Sequence, residues 1–64
     1  MKTYHYTNSW GFKKSIDIDT KNLKNGEYHF MIWNVATGDL CSSGYETKEN
    51  LIAFLKNYGI KADF

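Results

Sequence analysis

The chain reads as an α+β domain: a three-stranded antiparallel sheet, with a fourth strand left open, and one C-terminal helix on one face (β-β-β-α). Three observations carry that expectation. Large side chains alternate along Glu27–Asn34, an Asn-Gly-Glu start and an Ala-Thr-Gly break bound that run, and a capped apolar stripe follows between Thr47 and Gly59. Period-2 alternation marks a strand, whereas a stripe at i, i+3, i+4 and i+7 marks a helix.

The elements follow in order. Tyr4, Tyr6, Trp10, Phe12, Ile16 and Ile18 all occupy even positions, which predicts extended structure with a strand from Phe12 to Ile18. Thr7-Asn8-Ser9 and Gly11 interrupt it, so Lys2–Tyr6 forms the optional earlier strand. Asp19–Gly26, with its Asp, Asn and Gly, reads as a turn with a helical turn at Thr20–Leu23. The next strand runs from Glu27 to Asn34 or Val35, and Ala36-Thr37-Gly38 closes a hairpin in which Gly38 takes a positive φ. The return strand is Asp39–Tyr45. Pairing Val35 with Asp39 sets Trp33 opposite Cys41, Met31 opposite Ser43 and His29 opposite Tyr45 on one face. On the other, Ile32 meets Ser42 and Phe30 meets Gly44. Thr47 is the N-cap of a helix, Glu49 in the first turn faces the positive end of its dipole, and Leu51, Phe54, Leu55 and Tyr58 fall on one apolar arc. Ile52 lies at the edge of that arc, Lys56 in the last turn, and Gly59 ends the helix.

The strand at residues 27–34 poses the functional question. Tyr28, Phe30 and Ile32 share one face and His29, Met31 and Trp33 the other, and a single helix covers only one face. The second face is therefore an interaction surface, a subunit contact, or is roofed by the N-terminal arm. A Met–Trp–Tyr patch has the composition of a protein-binding hot spot. The expected binding surface is accordingly His29, Met31, Trp33, Tyr45 and Cys41.

Composition narrows the function classes. The 64 residues make one domain, spanning 1–64, near the lower size limit for folding without staples. The lone Cys41 forms no intramolecular disulfide, and no Cys/His cluster has zinc-ligand spacing. Eight basic and seven acidic residues leave a net charge of +1, without the basic excess that phosphate binding usually requires. Met1-Lys2 leads into Thr3-Tyr4-His5-Tyr6 without an export-type apolar segment, and nothing resembles a bilayer span, so a cytoplasmic setting is expected.

No catalytic residues are assigned. In this register His29 and Cys41 are not neighbours, and no phosphate loop or paired carboxylate motif accompanies them. Asp17 and Asp19 read as a solvated strand edge rather than a metal site. Lys13, Lys14, Lys21, Lys24 and Lys48 are interleaved with carboxylates and read as solvated charges. The aromatics Tyr4, Tyr6 and Trp10 read as core filling before base stacking. No cofactor is expected.

Gly44-Tyr45-Glu46-Thr47-Lys48-Glu49-Asn50, following a hairpin, resembles two families. One is the arm-site-binding N-terminal domain of phage and transposon integrases, whose three-stranded sheet leads into a helix through a similar segment. The other is the group of small YegP-like bacterial domains, which implies a fold and no activity. The integrase resemblance implies that the face opposite the helix enters the DNA major groove. Integrase domains usually place Arg and Lys there, where this chain has His29, Met31, Trp33, Cys41 and Tyr45.

The expectation is therefore a small non-enzymatic binding protein of phage or mobile-element type. It would inhibit or modulate a host or defence complex, as anti-CRISPR proteins do, by docking its sheet face. The first alternative is a nucleic-acid-binding module of the integrase-arm type. The second is a homo-oligomer that sequesters a small ligand.

Overall fold

The structure, a computed structural model covering residues 1–64, is a four-stranded antiparallel meander followed by one helix. The strands are β1 (Lys2–Thr7), β2 (Lys13–Lys24), β3 (Glu27–Asn34) and β4 (Leu40–Glu46), in the spatial order β1-β2-β3-β4, and α1 spans Lys48–Lys56. Sequential hairpins account for this order, since each strand turns back onto its predecessor.

The optional first strand forms. The N-terminal arm does not roof the second sheet face; it pairs with β2 as an edge strand, Tyr4 opposite Ile16 and Tyr6 opposite Lys14. Alternation then sends Tyr4 and Tyr6 to the helix side, where they pack against the core. Asn8 builds the β1–β2 loop: its side-chain oxygen accepts the amides of Trp10 and Phe12 at 3.1 and 2.9 Å.

β2 is longer than the sequence predicts. The expected helical turn at Thr20–Leu23 does not form, and the strand runs on to Lys24 through an irregularity in the pairing between Asp19 and Lys24. Asp19 absorbs the irregularity by accepting the amides of Lys21 and Asn22 at 3.0 and 3.2 Å. Those backbone donors hold its carboxyl below the usual aspartate range. The reversal lies at Asn25-Gly26, with φ of 53° and 76° at the two positions, the backbone of a two-residue hairpin whose twist suits the flanking strands.

The helix matches its signals. Thr47 Oγ1 accepts the Asn50 amide at 3.3 Å, and Glu46 accepts hydrogen bonds from the Thr47 amide and the Asn50 side chain. Beyond Asn57, Gly59 adopts φ 72° and the Ile60 amide donates to the Leu55 carbonyl at 3.0 Å, closing the C-terminus. Residues Ile60, Ala62 and Phe64 then pack against the core, and Asp63 accepts from Tyr4 Oη and from Lys2 Nζ, the latter at 3.0 Å.

Only Ile16, Ile18, Leu51 and Leu55 are fully buried. The helix is thus centred on β2, with Tyr6 edge-on to Phe54 (5.5 Å) and beside Tyr58 (4.4 Å). Towards β4 the small side chain of Ser42 and the bare Gly44 leave the layer thin. An open groove of about 490 Å³ remains there, floored by Phe30, Ile32 and Leu51 and rimmed by Asn50 and Asn57.

Candidate docking face

No element covers the sheet face opposite α1. Cross-strand register arranges its side chains in three rows. His5, Ser15, Trp33 and Leu40 form the first, Thr3, Asp17, Met31 and Ser43 the second, and Asp19, His29 and Tyr45 the third.

Trp33 stands in the first row on the inner strand β3 and is half-buried by its neighbours. Its indole Nε1–H donates to Asp17 Oδ2 at 3.1 Å, while Asp17 Oδ1 accepts from Thr3 Oγ1 at 2.6 Å. One carboxylate on β2 therefore fixes side chains of β1 and β3 together. A ring held in one orientation has already lost the rotamer freedom that binding would otherwise remove. In the third row the His29 and Tyr45 rings lie 5.0 Å apart, and Lys24 Nζ sits 5.3 Å from the Tyr45 ring centre. Tyr45 is 46% exposed, whereas Met31 and His29 are half-buried.

Four of the five expected surface residues, His29, Met31, Trp33 and Tyr45, share this face. Cys41 is not placed as the register predicts. The β3–β4 pairing slips between Ile32 and Trp33, so that Leu40, not Cys41, lies opposite Trp33. Cys41 is the extra residue of the bulge, and its sulfur lies 3.2 Å from Lys14 Nζ, the neighbour of Tyr6 on the helix side. The predicted Met31–Ser43, His29–Tyr45, Ile32–Ser42 and Phe30–Gly44 pairs all form.

The sequence reading missed an exposed apolar end of the sheet, on which the Phe12 ring lies 5.9 Å from Lys14 Nζ on the helix side. Trp10 (81% exposed), Phe12, Val35 and Leu40 all lie at one end of the sheet, in the β1–β2 loop and around the β3–β4 hairpin. The even-position rhythm suggests that Trp10 and Phe12 continue the core-facing series, but the Asn8 turn and Gly11, at φ 84°, lift them out. The Asn-Ser and Gly signals flanking Trp10 were the available warning. Leu40 joins this end to Trp33, so the apolar surface reaches the first row on its β3 and β4 side.

The charges beside the face are mixed: Asp17 and Asp19 lie within it and Lys24 over its third row. No group of three or more His, Cys, Asp or Glu side chains is placed to hold a metal ion. No helix is long and apolar enough to cross a membrane. Comparison of the chain with family models, curated proteins and solved structures returns no match.

Proposed function

We propose that this protein is a non-enzymatic binding protein that docks the open face of its sheet on another protein. The observation that carries the reading is the fixed Trp33 indole, anchored by Asp17 and Thr3 on a face that no part of the chain covers. Trp33 and Met31 act as anchors, Tyr45 and His29 border them, and Leu40 extends the contact towards the exposed loop end. The action is steric: a bound sheet face occludes the partner surface it occupies. The partner class we favour is a host or defence complex, met by a small inhibitor encoded on a phage or mobile element. That choice rests on the open Trp33 face and on the lack of a catalytic or metal-binding constellation. The mixed charge of the face favours protein over nucleic acid, whose phosphates call for a basic stripe.

The test compares immobilised wild-type protein with Trp33→Ala as baits for cell lysate, followed by titration of the purified partner. Truncating an anchor costs about 2 kcal/mol or more, roughly a 30-fold weaker Kd. Equal affinity from a folded Trp33→Ala variant overturns the reading. Tight binding to random-sequence duplex DNA with a steep salt dependence would instead support the nucleic-acid module.

A further inference from the structure

The layer between the sheet and α1 is left partly unfilled. Phe30 and Ile32 point to the helix side and pack against the core, yet both stay half-buried, and Ser42, opposite Ile32, is exposed. In a two-layer domain such inner positions are normally sealed by the opposing element. Here the buried contacts of α1 gather on Ile16 and Ile18 of β2, and the middle of β4 contributes only Ser42 and Gly44 to the layer. The result is the groove of about 490 Å³, which has the size and the apolar lining of small-molecule sites.

The lining selects among ligands. Phe30 and Phe54 offer ring surface, and the polar groups are Ser42, Asn50, Asn57 and Glu46, so the one formal charge in the groove is negative. Glu46 is half-buried, and no ion pair engages it, since the salt bridge of this molecule joins Lys2 to Asp63. The two hydrogen bonds it accepts, from the Thr47 amide and the Asn50 side chain, both fall on Oε1, which leaves Oε2 for a further donor. The nearby cations turn elsewhere. Lys48 Nζ sits 5.7 Å from the Phe64 ring centre, and Lys14 Nζ lies 3.2 Å from the Cys41 sulfur. Glu49, in the first turn of α1, adds a second carboxylate to this end of the helix. A carboxylate beside an apolar floor complements a cation carried on an apolar body and opposes an anion.

We propose that this groove binds a small aromatic amine, its ring laid over Phe30 and Ile32 and its protonated nitrogen donating to Glu46 Oε2. The ring supplies the side-chain volume that Ser42 and Gly44 do not. Four fully buried side chains are a small core for a 64-residue domain, so a ligand that completes this layer stabilises the folded chain as it saturates the site. Trp33 projects from the opposite face of β3 to Ile32, so the groove and the docking face are separate surfaces, and this site does not depend on the docking reading.

Tryptamine is the probe, with skatole as its neutral counterpart and indolepropionic acid as its anionic one. Titrated into the isotope-labelled full chain and followed by NMR, tryptamine should shift Phe30, Ile32, Asn50 and Ala53. It should bind about tenfold or more tighter than the acid, with skatole between them. Glu46→Gln keeps an Oε1 acceptor for Thr47 and Asn50, so the fold is retained while the preference for amine over acid disappears. Ala53→Phe places a ring in the groove from the exposed side of α1 and should raise the Tm while abolishing tryptamine binding. Trp33→Ala should leave the titration unchanged, which separates this test from that of the docking function. Circular dichroism checks that each variant folds. No saturable shift at millimolar tryptamine, acid binding as tight as amine, or a charge preference that survives in Glu46→Gln overturns the proposal. Shifts centred on Trp33 and Met31, or binding that persists in folded Ala53→Phe, overturn it too and place the amine elsewhere.

Discussion

Docking on a preset indole requires that Asp17 actually holds Trp33, and a double-mutant cycle measures that hold. Trp33→Phe keeps an aromatic ring and removes the Nε1–H, Asp17→Ala removes the acceptor, and the double variant removes the pair. A hydrogen bond to a charged group contributes about 1.5–3 kcal/mol when shielded. Trp33 and Asp17 are only half-buried, so solvent screening reduces the expected coupling to about 1 kcal/mol, within roughly 0.5–1.5. Urea unfolding followed by far-UV circular dichroism reads the cycle without relying on the tryptophan being changed. Thr3→Ala adds a control: it loses the 2.6 Å bond to Oδ1 but leaves the indole bond on Oδ2 in place. Additivity of the Trp33 and Asp17 changes, within about 0.3 kcal/mol, would show an indole free to turn. The docking argument would then lose its preset anchor.

Three further outcomes are expected. Ile18→Ala removes a side chain that is wholly buried beneath the helix and should cost about 2–5 kcal/mol, around half of the roughly 3–10 kcal/mol a domain of this size possesses; denaturant midpoints measure it. Gly44→Ala should be tolerated or mildly stabilising, by up to about 1 kcal/mol, because a Cβ there meets the Phe30 ring at 3.4–3.5 Å; a loss above 1 kcal/mol would mean the ring cannot accommodate it. The Asp63 anchor should depend on pH. The Tyr4 hydroxyl and Lys2 ammonium lower the Asp63 carboxyl below its ordinary value, so its stabilisation is present above the ordinary aspartate range and fades as acid titrates the folded form. The Tyr4 hydroxyl, raised by burial and then by Asp63, and the Lys2 ammonium, raised by Asp63, set the upper bound: their share is lost as the pH climbs through their elevated values. NMR shifts of Phe64, whose ring lies 5.3 Å from Tyr28, should therefore change at both extremes and stay flat between.

Elements governed by local chemistry were legible in the sequence. The helix bears its own punctuation in Thr47, Glu49, Lys56 and Gly59, and the observed cap and closure use Thr47 and Gly59. β3 reads correctly because large side chains run along both of its faces, and three residues of the expected docking face, His29, Met31 and Trp33, follow from its parity, while Tyr45 follows from the β3–β4 register. Where residues serve two grammars, the reading failed. Asp19 and Asn22 look like a turn, yet here the Asp19 carboxylate ties up the amides that a turn would have paired, and the strand continues. The true reversal, Asn25-Gly26, is the strongest short hairpin signal in the chain and was submerged in a longer polar stretch. A bulge leaves no mark on hydrophobic rhythm, so the displacement of Cys41 from Trp33 was invisible until the strands were paired. Trp10 and Phe12 failed for a related reason: parity persists through a loop even when the backbone no longer obeys it.

The bond between Asp63 and the first strand draws residues 2 and 63 to one corner of the molecule. That corner lies across the length of the sheet from the hairpin carrying Val35 and the loop carrying Trp10. A short Gly-Ser bridge between residues 64 and 1, with a new opening at Ala36-Thr37, would re-order the sequence while preserving every strand neighbour. In the unpermuted order, a label attached at residue 1 or 64 would stay remote from the aromatic tip, so surface immobilisation through that corner leaves the tip facing outward.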